Sequence, residues 1–553
     1  MRGVMEGGRM EAPSAMPAQP WDSHSGAVAL AGGERSWRRR MRDPRLWVVV
    51  IACALVALVS MAGIARPLDR DEGAFLVIAG DISHGRIPYR DVFDQKAPGV
   101  YYLLAALLAL TSHFSPVQQV LVARAVFAAT NLLTAAGLIL LGRRWWRLEV
   151  GALAALLWLL AAPIYGGDQL FTEPVAVACT VWAVVMAAGG AGPHRAFGAG
   201  LLLALGTLFK QPAILALPGL ALVLAAASSP GEAWWRPTRA RIRALIALLA
   251  GVLIPWLVVC GLFALAGALG PLIDQVVISN VARYPSDSPT EIVRAMRDSI
   301  QAFRALWYVA GVVVAAGAVG AWRWIRSGGD GQRRAPSLGV VTSMLIGALA
   351  LLPFKSHAYP HYWLQVAPWA ALLAALGFAA VVDAMMNGWR VRPQRTTWPA
   401  AARPRPLLAW ALVVGLILVT CARALLASAW PPDLRQQADV GAWIAGYAPP
   451  GTRLLVAPAE PEYYYLANHA PSDAFVYLLP INLTPSLLAQ ISADLHTGRY
   501  DVVVWDRDSG VGGDAAYFAE LAALRRTLAE RYHVAAAHGT LQIYVRNTTT
   551  PAG

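Results

Sequence analysis

The chain alternates between long apolar stretches and short polar connections. From about Leu46 to Leu426, runs of roughly 18–25 mostly apolar residues recur, and each run is long enough to cross a bilayer as a helix. This pattern predicts an α-helical polytopic membrane protein with about eleven transmembrane helices.

Arginine clusters between the apolar runs indicate the orientation. The first 45 residues end in an Arg-rich segment, and further clusters follow at intervals of two spans. Basic loops stay in the cytoplasm. We therefore expect residues 1–45 to form a cytoplasmic tail, residues 46–428 a transmembrane domain, and residues 430–553 an extracytoplasmic domain.

One apolar segment does not fit the alternation. Pro98–Leu110 is too short for a span, and counting it as one would place the next arginines outside. We expect it and the amphipathic stretch Glu72–His84 to be surface helices in an outer-face loop, residues 66–116. The second span is then Val117–Leu141.

Beyond Trp430 the pattern is that of a small α/β domain. Short apolar runs predict strands, and longer periodic runs predict helices, with Thr484 as an N-cap. The predicted strands are Leu454–Ala457, Asp501–Trp505 and Thr540–Val545, and the predicted helices are Pro485–Leu495 and Ala515–Tyr532.

Composition supports the membrane class and argues against a nucleic-acid partner. The 553 residues are 57% hydrophobic and 14% charged, whereas soluble proteins carry about 25% charged residues. The net charge of +13 comes largely from arginines at the positions of orientation signals. The cysteines all lie in apolar segments without metal-ligand spacing: Cys53, Cys179, Cys260 and Cys421.

Acidic residues at the membrane boundary are candidates for chemistry, because charge is costly there. The first outer loop carries Asp71, Glu72 and Asp94, and the second carries Asp168 and Glu173. Asp71 and Glu173 each stand where an apolar helix meets the outer surface. We expect Asp71, Glu72 and Glu173 to be catalytic and the other two to bind substrate.

Lysine is rare in this chain. Of 46 Lys and Arg residues, only Lys96, Lys210 and Lys355 are lysines, and all three fall at outer mouths of predicted spans. An ammonium is a compact charge suited to phosphate. The three lysines predict a phosphate-binding site, and the alternative is an accident of composition.

Two later outer loops, Gly270–Arg304 and Lys355–Trp363, add candidates for binding sugar or phosphate. A solvated loop helix and an interfacial aromatic belt are the competing interpretations. The candidates are Arg283, Tyr284, His357, Tyr359, His361 and Tyr362.

Five short motifs follow one another in a recognisable order and topological placement: Asp71-Glu72-Gly73, Asp94–Pro98, Glu173-Pro174, Gly206–Lys210 and Pro360–Tyr362. Together they resemble the GT-C membrane glycosyltransferases. The most similar branch is that of the protein O-mannosyltransferases and the lipid A aminoarabinose transferases.

The resemblance implies an inverting glycosyltransferase. It would move a hexosyl or pentosyl group from a polyprenyl-phosphate donor to a hydroxyl of a lipid, protein or glycan acceptor. Asp71 would take the hydroxyl proton, and Lys96 and Lys210 would face the donor phosphate. Glu173 matches a second acidic position, where relatives often have aspartate. No cofactor is required, and a divalent ion near the acidic residues is an open alternative.

Other functions are compatible with a polytopic chain. They are a transporter or flippase of lipid-linked sugars, a non-catalytic cell-envelope assembly protein, and a polymerase or ligase using a pyrophosphate carrier. Charge gathered at one face, rather than at the bilayer midplane, disfavours the transporter. We expect a bacterial plasma membrane as the location, with membrane lipids around the chain.

Overall fold

The computed structural model describes residues 44–227, 238–283, 288–302, 334–355, 359–388, 414–415, 418–419, 433–509 and 515–547. Within these ranges, apolar helices form a bundle with a small α/β unit at one end. The bundle helices are Pro44–Met61, Pro116–Trp145, Leu148–Ile164, Thr172–Ala188, Pro193–Phe209, Leu217–Ala227, Arg239–Leu265, Arg334–Leu349 and Trp363–Gly388.

Four described segments are long and apolar enough to cross a membrane: Pro116–Trp145, Arg239–Leu265, Ser337–Phe354 and Pro360–Ala380. A fifth is counted if the bent pair Val50–Ala65 and Arg70–Ser83 forms one span. Shorter apolar helices complete the bundle. The count of about eleven spans stays a prediction, because residues 303–333 and most of 389–432 lie outside the described residues.

Small residues let the bundle helices approach closely. Helix Leu148–Ile164 is buried at every position from Val150 onward, so it forms the centre of the bundle. A β-carbon on Gly151 would lie 2.5 Å from the carbonyl oxygen of Ile139, and one on Gly200 would lie 2.9 Å from Gly251 Cα. Without a hydrophobic driving force in lipid, such close backbone packing is what holds helices together.

Segment 66–116 contains the two short helices that the sequence predicts. The first is Arg70–Ser83, which begins with a capping box in which Asp69 accepts from the first turn and Glu72 accepts from the Asp69 nitrogen. The second is Gly99–Leu110, whose 12 residues are too few for a span. The next long helix, Pro116–Trp145, contains the predicted second span.

Between these longer elements of the chain lie shorter helical pieces. They are the 3-10 segments Ala62–Ala65, Gln211–Ala216, Leu352–Lys355 and Pro360–Tyr362, the π-helical segment Asp274–Arg283, and helices Leu269–Ile273 and Pro289–Ala302.

The C-terminal residues form a four-stranded mixed sheet in the order β1-β2-β4-β3. The strands are β1 Leu454–Ala457, β2 Val502–Asp506, β3 Tyr532–His538 and β4 Leu541–Arg546. β1 pairs with β2 in parallel, and the other pairs are antiparallel. The helices are Leu434–Tyr447, Glu462–Leu466, Pro485–His496 and Ala515–Arg531. Edge strand β3 was not predicted, because it is mostly exposed and lacks a clear apolar alternation.

The α/β unit is packed directly on segment 66–116. Phe75 and Tyr101 of the segment belong to the same hydrophobic core as Tyr464 and Val503 of the unit. Polar contacts add to this core: the Phe93 nitrogen donates to the Ala474 carbonyl at 2.7 Å. The unit therefore fixes the position of the segment that carries Asp71 and Lys96.

Candidate active site

Asp71 and Lys96 form an ion pair at the end of the bundle that carries the α/β unit. Asp71 lies in the first turn of helix Arg70–Ser83, and Lys96 Nζ is 2.9 Å from its Oδ2. The Lys96 backbone is held on both sides, because its nitrogen donates to Asp94 at 2.9 Å and its carbonyl accepts from the Tyr89 hydroxyl at 2.8 Å. Both charged side chains keep some exposure, 23% for Asp71 and 16% for Lys96.

A second carboxylate–lysine pair is more deeply buried. Glu173 lies in the first turn of helix Thr172–Ala188, and Lys210 caps the C-terminus of helix Pro193–Phe209. Lys210 Nζ is 2.6 Å from Glu173 Oε1 and 4.7 Å from the centroid of the Tyr362 ring. This ring offers its negative face to the ammonium. His361 Nε2 is 3.8 Å from the same Glu173 oxygen.

Aromatic rings line the side of the second pair. Phe171 stacks on His361 with centroids 4.6 Å apart, and His361 stacks on Tyr359 with centroids 5.6 Å apart. Tyr362 stands nearly perpendicular to Tyr359. The rings hold His361 against Glu173 and give this side of the site a flat, partly apolar wall.

The two pairs are close enough to influence one another. Burial opposes ionisation of Asp71, but the positive charge of Lys96, with smaller contributions from His361 and Lys210, lowers the pKa of this carboxyl to about 2. Asp71 is therefore ionised at neutral pH. The site combines two carboxylates and two ammonium groups, which suits a ligand that carries both a phosphate and a hydroxyl group.

Glu72 is next to Asp71 but faces a different environment. It forms a fully buried ion pair with Arg124, whose Nε is 2.9 Å from Oε1. The Leu170 and Asp69 nitrogens also donate to its carboxylate, at 2.7 and 2.9 Å. Arg124 in turn donates to carbonyls of the connection 64–67. The pair ties four segments together behind the site: helices Arg70–Ser83 and Pro116–Trp145, the connection 64–67 and the loop that contains Leu170.

Asp94 and Asp168 are also engaged by protein groups. Asp94 is buried and accepts from the Tyr477 hydroxyl at 2.6 Å, which links the Lys96 loop to the α/β unit. Asp168 is buried in an ion pair with Arg66 at 2.8 Å. Of the remaining candidates, Tyr284 and His357 lie outside the described residues, as do the side chains of Arg283 and Lys355.

Sequence reasoning missed several of these partners. Arg124 had a usable signal, because a charge inside an apolar span is costly and points to an internal partner. Phe171 and Tyr477 had none, since an aromatic residue beside an apolar segment is common in any membrane protein.

Solved membrane-protein structures share this fold. ArnT from Cupriavidus metallidurans bound to undecaprenyl phosphate matches with a TM-score of 0.60 and 16% identity, over 91% of this chain and 98% of that one. Its apo state gives a TM-score of 0.58 at 16% identity, over 90% and 97%. Archaeal oligosaccharyltransferase AglB from Archaeoglobus fulgidus, in complex with an inhibitory peptide and a dolichol-phosphate, gives 0.54 at 14% identity, over 92% and 75%.

ArnT and AglB both belong to the GT-C superfamily, so the predicted resemblance is confirmed at the level of the fold. No protein-family model matches the sequence, and no curated protein is similar to it in sequence.

Proposed function

We propose that this chain is an inverting glycosyltransferase of the plasma membrane, taking a sugar from a polyprenyl-phosphate donor on the extracytoplasmic face. The observation that carries the proposal is the pair of carboxylate–lysine contacts, Asp71–Lys96 and Glu173–Lys210, at one end of an apolar bundle. Similar folds with undecaprenyl phosphate or dolichol-phosphate in their structures support it.

The reaction would be a single displacement at the anomeric carbon. The acceptor hydroxyl oxygen forms a bond to this carbon, on the face opposite the phosphate. The bond from the carbon to the phosphate oxygen breaks, and its electron pair leaves with the polyprenyl phosphate. The hydroxyl proton passes to the Asp71 carboxylate. One displacement inverts the configuration and requires no covalent enzyme intermediate.

Lys96 would interact with both Asp71 and the donor phosphate in this step. Without substrate, the Lys96 ammonium balances the charge of the ionised Asp71 and holds the pKa of this carboxyl low, so the carboxylate is a weak base. A donor phosphate beside Lys96 would compete for the same ammonium, and the pKa of Asp71 would then rise toward that of an unpaired carboxyl. Donor binding would in this way prepare the base, and the growing charge on the leaving phosphate would be stabilised by Lys96 and Lys210.

The remaining residues would position these groups. Glu173 holds Lys210, and His361 and Tyr362 enclose that pair. Because Glu72 is fully buried and both of its carboxylate oxygens are paired with Arg124 and with backbone nitrogens, we assign it a positioning role behind Asp71 rather than contact with substrate. Asp94 and Asp168 would likewise hold the Lys96 loop and the second loop.

Carrier-specific transfer tests the proposal. Radiolabelled sugars on polyprenyl monophosphate or pyrophosphate are added to membranes that contain wild type, Lys96→Ala or a control variant. The control is Arg531→Ala, which removes an exposed cation of the α/β unit. We expect transfer from monophosphate carriers by wild type and control, with a loss of at least about 100-fold in Lys96→Ala.

Three results would contradict it. Full activity of Lys96→Ala would remove the phosphate role of this lysine. Transfer from pyrophosphate carriers alone would favour a polymerase or ligase. Movement of the carrier across the bilayer without transfer would favour a flippase.

A further inference from the structure

A second polar cleft lies beside the Asp71 helix, where the α/β unit meets segment 66–116. Its volume is about 410 Å³. One wall is formed by Leu68, Asp69 and Arg70, and Asp69 accepts from the Asp71 nitrogen at 2.9 Å. The cleft therefore adjoins the backbone of the proposed base. The opposite wall belongs to the α/β unit.

Carboxyl groups dominate this cleft. Asp69, Glu460, Glu462 and Asp506 line it, and among the described residues none of the four has an ion-pair partner within 4.0 Å. The guanidinium of Arg70 is turned to carbonyl oxygens instead, those of Ala459 and Ser509, each at 3.2 Å. The cleft is thus short of positive charge.

The carboxyl group of Glu462 is a second, independent indication that the cleft binds a ligand. Its side chain is 93% buried, since 7% of its surface is exposed. Oε1 receives a long hydrogen bond of 3.5 Å from Gln437, and within the described part of the chain Oε2 has no hydrogen-bond partner. A buried carboxyl oxygen without a partner costs about 1–3 kcal/mol or more, so a native structure normally provides one.

The charge state of the cleft agrees with this. Burial, reinforced by Asp506, raises the pKa of Glu460 to about 7, and burial with the neighbouring Glu460 and Asp69 raises the pKa of Glu462. A cation placed among these groups would reverse both effects. In the described ranges, no three His, Cys, Asp or Glu side chains are grouped so that they could hold a metal ion.

The other lining groups indicate what surrounds that cation. Hydroxyl groups of Tyr463, Ser509 and Thr540 share the cleft with the carboxyls. Such groups both donate and accept hydrogen bonds, which matches a ligand bearing several hydroxyls. A lysine side chain would instead present a bare methylene stem to them.

We propose that this cleft binds the acceptor through an ammonium group flanked by hydroxyl groups, the chemistry of an amino sugar, with Glu462 and Glu460 as its carboxylate partners. This inference rests on the proposed transferase function, because the cleft would deliver the acceptor to Asp71. The cleft is separate from the two carboxylate–lysine pairs, so its occupancy is measurable without catalysis.

Calorimetric binding to the detergent-solubilised full chain tests the proposal with three probes: glucosamine trisaccharide, its N-acetylated form, and trilysine. We expect the glucosamine trisaccharide to bind at least about tenfold more tightly than either comparison. Glu462→Gln and Glu460→Gln should each weaken it by about tenfold or more, whereas the exposed Glu530→Gln should not. Melting temperatures no lower than that of wild type check that the variants fold.

Four outcomes overturn the proposal, and a fifth separates it from the proposed function. Equal binding of the N-acetylated sugar would remove the ammonium requirement, and equal binding of trilysine would remove the hydroxyl requirement. Binding that survives both glutamate substitutions would lie elsewhere, and no binding of any probe would leave the cleft without this role. Binding of the trisaccharide to Asp71→Asn as tightly as to wild type, with no transfer by either protein, would retain the cleft while the proposed function fails.

Discussion

Gly73 allows the α/β unit to sit directly on the Asp71 helix, and its replacement by alanine tests that contact. A β-carbon at this position would lie 2.6 Å from the Cα of Glu462 and still nearer to its nitrogen. Both are backbone atoms, so the methyl fits only if helices Arg70–Ser83 and Glu462–Leu466 move apart. Gly80 lies in the same helix, and a β-carbon there would have no atom within 4 Å.

The expected energies follow from this difference. Alanine is favoured over glycine in a helix by about 1 kcal/mol, so Gly80→Ala should stabilise slightly. Overpacking costs roughly 1–3 kcal/mol, and the backbone contact at Gly73 puts the cost near the upper end. We therefore expect Gly73→Ala to destabilise the contact by about 1–2 kcal/mol net.

Amide hydrogen exchange measures the local stability of this contact. A loss of 1–2 kcal/mol should speed amide exchange in residues 70–83 and 462–466 by roughly 5–30-fold, while Gly80→Ala should leave it unchanged or slower. Transfer activity should fall with Gly73→Ala, because Asp71 is two residues away from the displaced position. Exchange in Gly73→Ala no faster than in Gly80→Ala would refute the packing argument.

Two further predictions concern buried charge. Glu72→Gln should destabilise the protein by about 3–5 kcal/mol in thermal unfolding, because it leaves the fully buried Arg124 without a counter-charge. The control Arg453→Gln, in the exposed pair with Asp501, should cost less than about 1 kcal/mol. Similar losses of stability in the two variants would contradict the positioning role of Glu72. Glu460→Gln should stabilise the protein at pH 8 more than at pH 4.5. Folding raises the pKa of Glu460 from 4.5 to about 7. Its carboxyl group therefore costs no folding free energy below pH 4.5, where it is protonated in both states, and the full amount, on the order of 3 kcal/mol, above pH 7. A pH-independent difference between wild type and variant would show that Glu460 is not held in this environment.

Much of the local structure could be predicted because it depends on short-range patterns. The capping residue Thr484 and the apolar run after it determine helix Pro485–His496. The apolar run Pro98–Leu110 is too short for a span, and it forms the 12-residue helix Gly99–Leu110. The grouping of Asp71, Lys96, Glu173 and Lys210 was predicted from charge at one face of alternating spans. Their pairing, aspartate with Lys96 and glutamate with Lys210, depends on tertiary contacts that the pattern does not contain.

The different roles of Asp71 and Glu72 also lie beyond the sequence. Adjacent helical residues point about 100° apart, so one carboxylate reaches Lys96 and the other reaches Arg124. Which one faces the substrate depends on the docking of helix Arg70–Ser83. The cleft at Glu462 exists only because residues 68–70 and the α/β unit, almost 400 positions apart, are packed together.

The central claim is that Asp71 takes the acceptor proton, and single-turnover transfer tests it most directly. Purified wild type and Asp71→Asn are loaded with the same labelled polyprenyl-phosphate sugar, donor binding is measured for each, and acceptor is then added. We predict that Asp71→Asn binds donor at least as well as wild type, because Lys96 is released, and that its transfer rate falls by about 10²–10⁴-fold. Equal rates from equally loaded enzymes would contradict the assignment of Asp71 as the base.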